Sequence, residues 1–143
     1  MPSSSNNVKV PGVRLVHLPV ITDRRGSLSF GQHDQHLPFA PKRYFIVYGV
    51  PENEIRGRHA HKKCHQFTVC VKGSCLIGMD DGRNRDEVAL DHPGVGLYVP
   101  PMIWTVVSKF SPDAVQLVLT SDAYLEEDYI RDYNEFLKAV GRR

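Results

Sequence analysis

Residues 66–90, QFTVCVKGSCLIGMDDGRNRDEVAL, decide the fold class. The stretch alternates short runs of apolar and β-branched residues with turn residues, which is the pattern of successive β-strands. Lys72-Gly73 predicts a β-hairpin between the first two runs, and Asp80-Asp81-Gly82 predicts a second turn. The runs are too short for helices, so the stretch predicts an all-β protein.

The same pattern continues on both sides of this stretch. Further strands are predicted at 14–20, 28–30, 43–48, 96–99, 104–107 and 115–120. About nine short strands with turns between them favour a sandwich or barrel over a βαβ fold. Only the C-terminal end is expected to be helical, over 126–131 and 133–138, where Tyr129, Tyr133, Phe136 and Leu137 recur at helical spacing.

Length and composition limit the class of protein. The 143 residues suit a single domain spanning 1–143. The net charge of +2 argues against bulk attraction to nucleic acid or to a membrane surface. Three cysteines, Cys64, Cys70 and Cys75, form no CxxC pair, and the polar N-terminus resembles no signal peptide. We therefore expect a reduced, cytoplasmic protein that binds neither nucleic acid nor membrane.

Two closely spaced histidines carry the chemical signal. They lie in Gly57-x-His59-x-His61-x-x-x-x-Gln66, and residues two apart in a strand point to the same face. Two imidazoles on the inner face of a barrel can bind a metal or move protons. The alternative is that both are core histidines, but their basic neighbours Arg56, Arg58 and Lys62 are hard to explain as packing.

The spacing resembles the first motif of the cupin superfamily, in which His-x-His and a Glu five residues later bind a metal. A second, proline-containing motif of that superfamily ends in a further His ligand. In this sequence Gln66 stands at the Glu position, and 99–105, VPPMIWT, ends in Thr105. Because a neutral amide and a hydroxyl are poor substitutes for carboxylate and imidazole, we expect no metal and no other cofactor. His59 and His61 then remain as an acid and a base.

An ordered set of segments resembles the sugar nucleotide 3,4-ketoisomerases. The segments are Asp23-x-Arg25-Gly26-x-Leu28, Pro38-Phe39-x-x-Lys42-Arg43, Arg56-Gly57-x-His59-Ala60-His61-Lys62, Gly73-Ser74, Asp80-Asp81-Gly82, Gly96-Leu97-Tyr98-Val99-Pro100-Pro101-x-x-Trp104, Phe110-Ser111 and Asp128-Tyr129-Ile130-Arg131-x-Tyr133. The resemblance implies a cupin-type jelly-roll barrel with a short C-terminal helix. It also implies a homodimer that uses no metal and acts on a dTDP-linked 4-keto-6-deoxy sugar.

At one position the sequence departs from the pattern of this family. Some relatives carry His or Arg where this sequence has Thr105, and that position is associated with the configuration of the product at C4. Arg25 matches the family pattern. The configuration of the product at C4 therefore stays open.

The chemistry of a 4-keto sugar suggests roles for these residues. A neutral imidazole can remove the acidic hydrogen from C3, and we assign His59 as this base and His61 as the shuttle between the two oxygens, although the roles can be exchanged. The enediolate and the diphosphate need cationic or hydrogen-bonding partners. The predicted substrate-binding residues are Arg25, Arg43, Arg56, Lys62, Gln66, Tyr98, Trp104 and Thr105, and Tyr44 is a further aromatic candidate.

Two other functions remain open from the sequence. A sugar nucleotide 3,5-epimerase shares the barrel and the substrate class but uses one His base with a Tyr acid. A non-catalytic module that binds a sugar nucleotide is the second alternative. The position of the carbonyl after incubation with a 4-keto sugar separates the three functions.

Overall fold

The structure, a computed structural model, describes residues 8–141. These residues form short strands, one 3₁₀ turn over Glu126–Asp128 and one α-helix. The elements are β1 (Arg14–His17), β2 (Val20–Asp23), β3 (Gly26–Ser29), β4 (Arg43–Tyr48), β5 (Arg56–His61), β6 (Gln66–Lys72), β7 (Cys75–Asp80), β8 (Arg85–Leu90), β9 (Val95–Val99), β10 (Trp104–Ser108), β11 (Val115–Thr120), β12 (Tyr129–Ile130) and α1 (Tyr133–Ala139).

Two five-stranded antiparallel sheets build the molecule. One has the strand order β1-β9-β6-β11-β4 and the other the order β12-β5-β10-β7-β8, while β2 and β3 pair as a separate hairpin. The inward-facing side chains of both sheets meet in one apolar core that includes Cys70, Ile77, Leu90 and Leu97. This is a cupin-type jelly roll, so the predicted all-β fold class is confirmed.

The predicted hairpin at Lys72-Gly73 is wrong, because β6 and β7 belong to different sheets. Gly73 instead marks a corner where the chain crosses from one sheet to the other. Its φ of +69° suits glycine, and an added Cβ would lie 2.2 Å from Ser111 Oγ and 2.9 Å from the Cα of Ala114. The backbone of Ser74 on this corner is fixed by two hydrogen bonds to Ser111, each 2.9 Å long.

The chain end differs from the predicted helix over 126–131. Only a 3₁₀ turn forms there, and Tyr129 and Ile130 then pair with His61 and Ala60 as strand β12. This pairing satisfies backbone groups at the edge of β5 and places Ile130 in a buried cluster with Ala60, Trp104 and Phe136. The second predicted helix forms as α1, and the Asp132 side chain caps it by accepting from the Glu135 amide at 3.0 Å.

The strand order positions the histidine pair. Strand β5 lies between β12 and β10, and His59 stands opposite Thr105 in the register of β5 with β10. Strand β6, which begins at Gln66, lies centrally in the facing sheet. The space between the sheets is therefore bordered by all three of these side chains. Within residues 8–141, no helix is long and apolar enough to cross a bilayer.

Candidate active site

A cavity of about 270 Å³ opens between the two sheets. Apolar residues of the core form part of its wall, and polar and cationic side chains form the rest. The lining residues are Phe45, Val47, Arg56, Gly57, Arg58, His59, Gln66, Thr68, Ile77, Val99, Thr105, Val107, Gln116, Val118, Tyr129 and Arg131. Apolar walls with a few convergent polar groups are typical of a small-molecule site.

The paired histidines sit at different depths. His59 lines the cavity, whereas His61 is only 5% exposed and is not a lining residue. Their rings are nearly perpendicular, with centroids 5.0 Å apart. The ring of Tyr129 contacts both, with centroid distances of 5.1 Å to His59 and 4.4 Å to His61. His59 is therefore the histidine that can touch a substrate directly.

The environment of His59 keeps its imidazole neutral. Burial, together with the nearby His61 and the Arg131 guanidinium, lowers the pKa of His59 to about 4, and burial has the largest effect. At neutral pH the ring is uncharged and one of its nitrogens has a free lone pair. The side chain is thus available as a base throughout the physiological pH range.

His61 is held from both sides by hydrogen bonds. Its Nδ1 lies 2.9 Å from Oδ2 of the buried Asp128, and its Nε2 lies 3.2 Å from Nε2 of Gln66. Burial lowers the pKa of His61, although the hydrogen bond to Asp128 opposes this effect. His61 does not line the cavity itself but contacts two residues that do, Gln66 and His59.

His61, Cys64 and Asp128 bring potential metal-ligand atoms within 4.8 Å of one another. Hydrogen bonds account for this cluster without an ion. The Asp128 carboxylate accepts from Nδ1 of His61 and from the backbone amides of Lys63 and Cys64, at 2.7 Å and 3.2 Å for the two amides. The Cys64 thiol donates to the carbonyl of His65 at 3.4 Å.

Cationic side chains surround the cavity. Arg56, Arg58 and Arg131 all belong to its lining. The Arg131 guanidinium lies 4.3 Å from the centroid of the Tyr129 ring and makes two hydrogen bonds of 3.0 Å to the Glu126 carboxylate. Arginines presented around an apolar cavity suit a ligand that carries phosphates.

Four of the predicted site residues meet at this cavity: Arg56, His59, Gln66 and Thr105. Thr105 is buried, and its hydroxyl donates to the carbonyl of Gly57 at 3.4 Å. This hydrogen bond fixes Thr105 beside His59, across the β5–β10 pair.

Three predicted aromatic residues lie on the outer faces of their sheets. Because side chains alternate along a strand, the inward orientation of Thr105 turns Trp104 outward, where it packs on Tyr133 and Phe136. Tyr98 is similarly turned away by its inward neighbours, and its hydroxyl lies 2.7 Å from Nδ1 of His65. Tyr44 is 65% exposed on β4. None of the three lines this cavity.

The other predicted cationic residues are spread over the surface. Arg43 stacks beside Phe45, 5.4 Å from its ring centroid, and so lies next to the cavity lining. Lys62 is exposed after β5. Arg25, at the tip of the β2–β3 hairpin, is 81% exposed and pairs with Asp23 at 2.7 Å. Within one chain, neither Lys62 nor Arg25 reaches the cavity.

Among the lining residues that were not predicted as site residues, Arg58, Tyr129 and Arg131 are the ones with a cationic or phenolic side chain. Tyr129 and Arg131 were assigned to a helix, although they stand two apart with the apolar Ile130 between them. That alternation is the signal of a strand with one polar face and could have identified them. For Arg58, the signal was its place in the basic run around the histidine pair.

The fold and the site together define a cupin-type barrel whose cavity holds a neutral histidine within a cationic rim. The family model FdtA (WxcM-like, C-terminal) matches residues 11–141. The chain therefore belongs to the FdtA family, and the resemblance to sugar nucleotide 3,4-ketoisomerases drawn from the sequence is confirmed.

Individual relatives agree with this assignment. The TDP-4-oxo-6-deoxy-alpha-D-glucose-3,4-oxoisomerase of Aneurinibacillus thermoaerophilus is 43% identical over 129 residues, which cover 90% of this chain and 93% of that protein. A 3,4-ketoisomerase from Helicobacter canadensis matches with a TM-score of 0.87 and 38% identity, covering 90% of this chain and 97% of that one. QdtA, a sugar 3,4-ketoisomerase from Thermoanaerobacterium thermosaccharolyticum solved with TDP, matches with a TM-score of 0.89 and 34% identity, covering 92% and 96%.

Proposed function

We propose that this protein is a TDP-sugar 3,4-ketoisomerase that moves the carbonyl of TDP-4-keto-6-deoxyglucose from C4 to C3. The observation that carries this proposal is His59, a neutral imidazole that lines a cavity with an arginine-rich rim. The activity named for the Aneurinibacillus relative supplies the substrate class.

The reaction needs one base that both removes and returns a proton. The ketone at C4 acidifies the hydrogen on C3, and His59 takes this proton to leave an enediolate. Burial disfavours the resulting imidazolium, so it gives the proton back readily, now to C4. The hydroxyl proton moves from the C3 oxygen to the C4 oxygen, which leaves the ketone at C3. The assignment of this second transfer to His61 stays a prediction.

The cationic rim serves the charged parts of the substrate. Arg56, Arg58 and Arg131 are placed to bind the diphosphate and to stabilise negative charge on the enediolate. Arg131 is paired with Glu126, so a phosphate binding there would exchange one anionic partner for another. The roles predicted for Arg43 and for Lys62 in binding the substrate remain predictions.

Incubation with TDP-4-keto-6-deoxyglucose, followed by ¹³C NMR, tests the proposed function. The expected product has its carbonyl at C3. An epimerase would instead leave the carbonyl at C4 and invert a neighbouring carbon, and a binding module would leave the sugar unchanged.

Turnover is expected to survive exhaustive treatment with EDTA. The Nε2 lone pair of His61 faces the Gln66 amide, and its Nδ1 faces Asp128, so neither ring nitrogen is free for a metal. Initial rates before and after chelation, with metal content measured on the same sample, check this. Loss of turnover that one divalent ion restores would contradict the metal-free mechanism.

We further propose that the protein is a homodimer. The β2–β3 hairpin exposes Val20, Ile21 and Leu28 by 45%, 57% and 58% of their surfaces. The edge strand β4 exposes Ile46 by 46% and Tyr48 by 72%. Exposed apolar side chains on a hairpin and on an unpaired sheet edge favour association with a second copy. Light scattering is expected to give the dimer mass, and a fully active monomer at micromolar concentration would contradict it.

In such a dimer the exposed tip of the hairpin can carry Arg25 to the cavity of the partner subunit. A mixing experiment tests this arrangement. Arg25→Ala and His59→Asn dimers, each impaired, are unfolded together and refolded. If Arg25 acts across the interface, half of the dimers are mixed and each keeps one intact site, so about one quarter of wild-type activity returns. A mixture that stays inactive would place Arg25 at the site of its own protomer.

The protein's location remains a prediction. The sequence predicts the cytoplasm, and within the described residues the three cysteines are free and buried.

A further inference from the structure

Asp128 is a buried carboxylate whose hydrogen bonds fix its role as an acceptor. The backbone amides of Lys63 and Cys64 can only donate, and both point at this carboxylate. Lys63 N–H donates to Oδ1 and Cys64 N–H donates to Oδ2, so both carboxylate oxygens act as acceptors. His61 Nδ1, which lies 2.9 Å from Oδ2 of the same carboxylate, must therefore carry a hydrogen and donate it.

This contact decides the tautomer of His61. Burial lowers the pKa of its imidazole, so the ring is neutral at physiological pH and carries only one hydrogen. With that hydrogen on Nδ1, the opposite nitrogen Nε2 is a pure acceptor. Gln66 Nε2, 3.2 Å away, donates to it.

The orientation of Gln66 follows from the tautomer of His61. An amide that turns its NH₂ group toward His61 must turn its carbonyl oxygen Oε1 elsewhere. Within residues 8–141, Oε1 of Gln66 has no hydrogen-bond partner. It is also not buried, because Ser29 Oγ is the one buried side-chain polar atom of these residues that lacks a partner. Since Gln66 lines the cavity, Oε1 is open to it.

We propose that Asp128 is a positioning residue that acts through His61 to hold the Gln66 carbonyl oxygen toward the cavity, where this oxygen accepts a hydrogen bond from a sugar hydroxyl. The inference deepens the proposed function and rests on it for the identity of the ligand. Without the carboxylate, His61 can place its hydrogen on Nε2, and Gln66 must then turn its NH₂ group toward the substrate. The cavity would present a donor where it now presents an acceptor, and the hydroxyl would lose its partner.

The first test needs no substrate, so it is independent of the proposed activity. In ¹⁵N-labelled wild-type protein, the two-bond ¹H–¹⁵N spectrum of the His61 ring should show a protonated Nδ1 and an unprotonated Nε2. Asp128→Asn keeps the shape and one acceptor oxygen but presents an NH₂ group to the ring, and should move the hydrogen to Nε2. A wild-type ring protonated at Nε2, or a variant whose tautomer is unchanged, would overturn the proposal.

Kinetics then separate positioning from general damage to the fold. Asp128→Asn should lower kcat/KM by about 10- to 100-fold. The substrate would lose the hydrogen bond from its hydroxyl to Gln66 Oε1, and that hydroxyl would be left without an acceptor. Asp80→Asn is the matched control, because Asp80 is also buried and accepts a backbone amide, from Gly82, but lies outside the cavity lining. It should leave both the His61 tautomer and kcat/KM close to wild type.

A double-mutant cycle with Gln66 completes the test. Gln66→Met removes the amide at similar size, so in that background Asp128→Asn should lower kcat/KM by much less than in wild type. Additive losses would mean that Asp128 does not act through Gln66 and would overturn the proposal. If Asp128→Asn does not fold, the tautomer of His61 in the wild-type protein still tests the proposal, because a ring protonated at Nε2 would overturn it.

Discussion

His59→Asn is expected to lower kcat by at least ~10²-fold, the usual effect of losing a general base. The asparagine amide is similar in size to imidazole and keeps one hydrogen-bonding group, but it cannot take a proton from carbon. Because His59 lines the cavity beside the arginines without contributing to their charge, the affinity for TDP should stay close to wild type.

The measurement combines steady-state rates, TDP titration and thermal unfolding on the same preparations. His33→Asn serves as the matched control, since the His33 side chain is 48% exposed and lies outside the cavity lining. It should have wild-type kinetics. Near-normal turnover in His59→Asn would mean that another group removes the proton and that His59 is structural.

His61→Asn gives an informative contrast. If His61 moves protons only between oxygens, this variant should be slow but should still exchange the C3 hydrogen with deuterated solvent. His59→Asn should show no exchange of the C3 hydrogen above background.

Phe136→Ala is expected to lower the free energy of unfolding by about 3–5 kcal/mol. The Phe136 ring is fully buried and packs on Trp104, with ring centroids 5.8 Å apart. Its cluster also contains Ala60 of β5 and Ile130 of β12. Its truncation would leave a cavity beneath the segment that holds Asp128, Tyr129 and Arg131 against the histidines, so activity should fall as well.

Urea denaturation at one protein concentration measures the change, since dimer formation would make stability depend on concentration. Phe136→Leu is the control, because it keeps most of the apolar volume and should lower the free energy of unfolding by less than about 1.5 kcal/mol. Equal, small losses in both variants would mean that α1 does not anchor the chain end.

Strand-forming segments were predictable because their signal is local. Short β-branched runs bounded by Gly, Pro and Asp identified most strands of the two sheets. Pairing is not local, and the sequence around Gly73 has the composition of a hairpin turn whichever sheet the next strand joins. Tyr129 shares a helical spacing with Tyr133, Phe136 and Leu137, which favoured a helix over 126–131, but Tyr129 and Ile130 pair with the edge of β5 instead.

The site was only partly predictable from the sequence. His59, Gln66 and Thr105 were found because a resemblance fixed their spacing, whereas Trp104 and Tyr98 were chosen by residue type without knowing which face of the strand they occupy. Asp128 was missed because its role depends on a contact 67 positions away in the chain. Such a contact exists only once β12 pairs with β5.

Turnover of TDP-4-keto-6-deoxyglucose that carries deuterium at C3 tests the central claim most directly. The account predicts a primary isotope effect on the rate, a product carbonyl at C3, and deuterium either transferred to C4 or lost to solvent. His59→Asn should abolish all three. A sugar recovered with its carbonyl at C4 and its deuterium still on C3 would contradict the account.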